Sequence, residues 1–152
     1  MKKILVGLCM MATTLTGFTQ TCEEREDELL VVMGSLSAGF LYNTYGLIGS
    51  IADGYGHDVY TASTVTDLLM AQNKLADNMI ALLEQKVREN IFKAESNKNY
   101  MTNSVSIIKG LKAQIDLFLK LVKNRNQKNL DAYDEQRTKN WKDLSKLMGI
   151  EE

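Results

Sequence analysis

Apolar residues recur along this chain at steps of three and four, a spacing that predicts helices rather than strands. In a first segment Leu29, Met33, Leu36, Phe40, Thr44, Leu47 and Ile51 trace one helical face. A second face runs through Leu68, Gln72, Leu75, Met79, Leu83, Val87 and Ile91, and a third through Met101, Val105, Ile108, Leu111, Ile115, Phe118 and Val122. A fourth carries Leu130, Tyr133, Arg137, Trp141, Leu144 and Met148.

Local chemistry sets the expected boundaries. Carboxylates at 23–28 suit the positive end of the first helix macrodipole. Gly54 and Gly56 are expected to end that helix, since glycine reaches left-handed angles at no steric cost. Thr64 with Asp67 forms a capping-box-like start for the second helix, and Ser96-Asn97-Lys98-Asn99 reads as a turn after it. The helical phase runs unbroken through Asn124-Arg125-Asn126-Gln127-Lys128-Asn129, but one helix from 101 to 148 would extend about 72 Å with no partner of matching length. Three asparagines in those six residues mark the expected turn, and Gly149 a final cap. The predicted fold is an all-α, up-down-up-down four-helix bundle; three long helices are the alternative.

Composition strengthens this picture at one point. The 152 residues contain no proline, where average usage of ~5% would place about seven or eight. Proline lacks an N–H and clashes with the preceding helical turn, so its absence favours long helices joined by short connections.

Residues 1–19 read as a secretory signal. Lys2 and Lys3 supply the positive start, Ile4 to Met11 an apolar run too short to span a bilayer, and Gly17-Phe18-Thr19 a small-x-small cleavage site before Gln20. Residues 20–152 then form a single helical domain, exported to a periplasmic or extracellular location. Cys9 would leave with the signal, so Cys22 would be the only mature thiol and no intramolecular disulfide could form. A free thiol, an intermolecular disulfide and a lipid anchor at Cys22 are its three readings. Thr19-Gln20-Thr21 lacks the apolar-then-small pattern that lipidation requires.

Charge is unevenly distributed. Residues 20–58 hold seven acids against Arg25, whereas residues 93–146 hold twelve bases against six acids. The expectation is long-range attraction between the first helix and the last two. Leu29 to Ala52 is different again, with no charged residue for 24 positions. Amphipathic helices normally keep a charged outer face, so this one needs cover on more than one side. A central position in the bundle, a partner interface and a membrane span all meet that need. Its length suits a bilayer, but Tyr42-Asn43-Thr44-Tyr45 places four hydrogen-bonding side chains mid-segment. A stripe of small residues at Ser35, Gly39, Gly46 and Ser50, with Tyr42 and Asn43 between them, is the expected interaction surface.

Catalytic chemistry finds little support. His57, the only histidine, lies in Asp53-Gly54-Tyr55-Gly56-His57-Asp58. Asp53, His57 and Asp58 are weak candidates for metal ligands or acid–base groups. There is no second histidine for a di-metal bundle site, and the calcium-loop pattern fails. A helix-joining turn accounts for the same residues. No nucleophile–base pair, phosphate loop or basic-aromatic pattern for nucleic acid is present. Tyr42 and Tyr45 could line a pocket with Asn43 and Asp53, or simply pack in the core. No cofactor is expected.

The run Tyr42-Asn43-Thr44-Tyr45-Gly46-Leu47-Ile48-Gly49 with Ala52-Asp53, together with Trp141-Lys142-Asp143-Leu144-Ser145-Lys146-Leu147-Met148-Gly149, resembles uncharacterised bacterial exported helical proteins. These carry a tyrosine-rich first helix and a tryptophan-containing last one. The resemblance implies an all-helical fold and brings no activity, ligand or catalytic residue. The expected function is therefore non-enzymatic: protein–protein interaction, or self-association, through the uncharged first helix. A membrane-associated envelope or secretion-assembly subunit is the alternative, and a metal-binding protein or enzyme using the Asp53-His57-Asp58 loop the third.

Overall fold

The computed structural model describes residues 22–92 and 94–150. The predicted signal at 1–19 lies outside them, as does the side chain of Cys22. Among the described residues there are four helices and no strand: α1 (Cys22–Gly56), α2 (Ala62–Arg88), α3 (Glu95–Lys123) and α4 (Gln127–Met148). Short connections turn each helix back on the last, giving the expected four-helix bundle.

The core is built around α3. Its buried side chains include Val105, Ile107, Ile108, Leu111, Ile115, Phe118 and Leu121, and it makes the broad interfaces with α2 and α4. The predicted α3 face is the observed one. The helix starts earlier than expected, however, because Ser96-Asn97-Lys98-Asn99 forms its first turn rather than a loop. In α2 the buried line is Val65, Leu69, Asn73 and Ala76, one step round from the predicted line, and Leu68 and Leu75 lie exposed. Burying Asn73 is feasible because its amide donates to Asp116 Oδ1 at 2.8 Å.

The start of α2 is corrected, while α1 ends at Gly56 as expected but with a different cap. The N-cap of α2 is Thr61, not Thr64: the Thr61 hydroxyl accepts from the Thr64 amide at 3.2 Å. The turn after α1 places its left-handed angle at Asp58 (φ 57°), a residue that tolerates this region, rather than at a glycine. Gly54 matters there for another reason. A Cβ on it would meet the Tyr60 ring at 2.5 Å, so only glycine lets the ring lie against the helix. The break before α4 is as expected. Asn126 Oδ1 accepts from the Asn129 amide at 2.9 Å, and Asn129 Nδ2 donates to the Asn124 carbonyl at 2.7 Å. Gly149 closes α4 at φ 67°.

A buried polar network fixes α4 on α3. The Asn140 amide donates to the Gly110 carbonyl at 2.9 Å and to Gln114 Oε1 at 2.8 Å, and Gln136 Nε2 donates to Asn140 Oδ1 at 2.8 Å. A Cβ at Gly110 would collide with Asn140 Oδ1. Sliding α4 by one residue would strand both buried amides, which is costly in a low-dielectric interior. Cross-helix ion pairs join α2 to α3, with Glu84 to Lys109 at 2.6 Å and Asp77 to Lys112 at 3.2 Å.

Candidate functional site

α1 is not wedged at the centre of the bundle. Its inward line is Leu41, Ile48 and Ile51, with Ser37, Tyr45, Ala52 and Tyr55 partly covered. Most of the face expected to be buried is bare: Leu29 is 61% exposed and Leu36 64%, with Met33 and Leu47 also open, as are Val31 and Val32 beside it. Apolar residues occur on both sides of this helix, so spacing alone could not tell inside from outside.

The outward side has its own regular spacing. Leu29, Val32, Leu36, Gly39, Asn43, Gly46 and Ser50 succeed one another at alternating steps of three and four. All are exposed except Gly39, which is half-buried. Alternating three-four steps form the seam by which one helix packs along another. At 1.5 Å per residue the seam is about 32 Å long. The predicted surface residues Ser35, Gly39, Asn43, Gly46 and Ser50 lie along this side. Tyr42 stands at its edge, its ring 6.4 Å from that of Trp141, while Tyr45 sits 5.6 Å from the same indole. These two tyrosines therefore join α1 to α4 and form no pocket with Asn43.

Beside the bare part of α1 lies an apolar groove of about 650 Å³. Leu30, Met33 and Phe40 of α1 face Leu83 of α2 and Tyr100 and Met101 of α3 across it. The Tyr100 hydroxyl donates to the Gly34 carbonyl at 2.7 Å and lies 2.6 Å from Ser37 Oγ. This tie holds the upper part of α1 to the bundle where few apolar contacts do so. A Cβ at Gly34 would lie 3.9 Å from the Tyr100 ring, an ordinary van der Waals contact, so the tie does not depend on the missing side chain.

A second concavity of about 430 Å³ opens at the other end, between the close of α1 and the α3–α4 turn. Asp53, Arg125, Asp134 and Arg137 line it with Phe118 and Leu130. Arg125 stacks its guanidinium 5.3 Å over the Tyr55 ring. Below, burial pushes the Tyr133 hydroxyl above its ordinary pKa. Asp53 is the only member of the proposed metal trio at this concavity. His57 and Asp58 lie exposed in the turn beyond it. Among the described residues no three His, Cys, Asp or Glu side chains gather to hold a metal ion.

Sequence reasoning missed the groove, because its walls come from three helices. It also missed the seam, which begins at Leu29 rather than at Ser35. The only available signal was Val32, which fits the outward spacing and not the inward one. Among the described residues no helix is long and apolar enough to cross a membrane. No family model, curated protein or solved structure matches this chain.

Proposed function

We propose that this protein is an exported, non-enzymatic helical bundle that acts by holding another polypeptide along the outward face of α1. The observation that carries this reading is a bare, regularly spaced seam inside 24 consecutive uncharged positions. A solvated helix face ordinarily carries charge, and contiguous apolar exposure marks interaction surfaces on folded proteins. The groove beside the seam extends the apolar surface toward α2 and α3.

A photo-reactive residue placed at Val32 or Leu36 tests the proposal in cells producing the whole chain. Adducts of higher mass are expected from both positions, and none from Ile48, which is buried against the bundle. Absence of any protein adduct from Val32 and Leu36 would overturn the reading. Recovery of the chain from outside the cytoplasm, shortened by residues 1–19, is expected in the same cells. Full-length chain retained in the cytoplasm would remove the export part.

A further inference from the structure

We infer that the occupant of the α1 seam is a second copy of this chain, its own α1 laid antiparallel about a two-fold axis at Gly39. The inference rests on the reading of the seam given above and names the partner. Its first support is the order of side chains. The seam is bulky in its first half (Leu29, Val32, Leu36) and, past Gly39, small or polar in its second (Asn43, Gly46, Ser50). Turning one copy end over end about Gly39 sets Leu29 over Ser50, Val32 over Gly46 and Leu36 over Asn43. Each large residue then meets a small or short one, and Gly39 meets Gly39. A parallel pair would instead set leucine on leucine at one end and leave a gap between glycines at the other.

The glycines give a second, independent support. Glycine inside a helix is unfavourable relative to alanine, because the unfolded chain gains freedom. At Gly54 and Gly110 the bundle itself requires it, since a Cβ would strike Tyr60 or Asn140. At Gly39 and Gly46 a Cβ would meet nothing within 4 Å. The single chain has no use for the missing side chains there. A second helix crossing at close range does, because small residues let two backbones approach.

Charge selects the direction. In a parallel pair Glu26, Asp27 and Glu28 of both chains would lie side by side, a like-charge arrangement that opposes association. The antiparallel pair moves the two acidic starts to opposite ends of the seam. Each then approaches the close of the other α1, where Arg125 and Arg137 are balanced by Asp53 and Asp134 around the surface concavity, so the two acidic clusters no longer meet.

Sedimentation and cysteine cross-linking test the inference on the full chain carrying Cys9→Ser and Cys22→Ser. A dimer is expected, with Gly39→Cys cross-linking to itself. Chains carrying Leu29→Cys should link to chains carrying Ser50→Cys, far more than Leu29→Cys chains link to one another. Gly39→Leu should raise the dissociation constant at least tenfold while leaving helicity unchanged, as the site is open in the single chain. A monomer at all concentrations, or Leu29-to-Leu29 linking above Leu29-to-Ser50, would overturn the inference. A monomer that still forms Val32 photo-adducts with a different protein would overturn it while leaving the proposed function standing. Loss of every adduct would remove both.

Discussion

α1 and α3 both carry long apolar lines, and they use them in opposite ways. α3 carries its apolar residues on a face closed by α2 and α4, and its charged residues Lys109, Lys112 and Lys120 lie toward solvent or in ion pairs. α1 has one line against the bundle and a second, equally regular line against nothing. An apolar side chain removed from water contributes about 1.5–3 kcal/mol, and a side chain that stays in water contributes none of it. The more apolar helix in the sequence is therefore not the one that contributes more stability to the fold. What α1 does not contribute to the single chain is available for association.

The largest separation between the two helices should come from truncating them. Leu111→Ala or Ile115→Ala, both fully enclosed, should cost about 2–5 kcal/mol in urea unfolding. Leu36→Ala, measured at a dilution where the chain is monomeric, should stay within about 0.5 kcal/mol. Comparable losses at the two places would mean that the outward seam is covered within the single chain.

The glycines sharpen the contrast at a smaller scale. Gly110→Ala must push Asn140 out of its hydrogen bonds and should cost about 1–3 kcal/mol. Gly39→Ala in the dilute monomer should be neutral or stabilising by up to about 1 kcal/mol, because alanine is the better helix former and has room. The same substitution should weaken self-association. A destabilised Gly39→Ala monomer would contradict the open space described around this residue.

Titration effects rank last. Burial raises the Tyr133 pKa, so the unfolded chain ionises first. Stability from this group is complete below the unfolded value of about 10 and falls as pH rises through the raised folded value. Tyr133→Phe should flatten that alkaline loss of Tm. The Lys109 ammonium holds the Glu84 carboxyl below its ordinary range. Its contribution is present above the ordinary glutamate value and disappears as pH falls through the lowered one. Both groups are on the surface, so Glu84→Gln should give the smallest Tm change of the series, reduced further by salt.

How much of this was legible in the sequence differs by helix for physical reasons. α3 was readable because Val105, Ile108, Leu111, Ile115 and Phe118 stand out from polar neighbours on the other sides. α2 was misread by one step because its buried line includes Asn73 and Ala76, neither of which signals burial until Asp116 is placed opposite. α1 was readable as a helix but not as a face, because no charge marks its outside. The Gln114–Asn140 pair looks like two surface amides until α3 and α4 are side by side. Likewise Asp53, Arg125, Asp134 and Arg137 come from separate elements, and no spacing in the chain announces that they line one concavity. The small residues of the stripe stand out in the sequence, whereas Leu29 and Leu36 fit the spacing of an inward face as well as that of an outward one.

The placement of α3 also has a consequence for folding order. Chains are synthesised from the N-terminus, so α1 is complete before any of α3 exists. Until Glu95 and the turns after it have been made, Tyr100 cannot reach Gly34 and the inward line of α1 has only α2 to rest on. The unit of α2, α3 and α4 is thus expected to close first, with α1 docking last and its early turns exchanging amide hydrogens fastest. The outward line of α1, and the part of its inward line that α2 does not cover, stay open to water throughout that interval, so the first helix is the segment of the nascent chain that a chaperone would serve most.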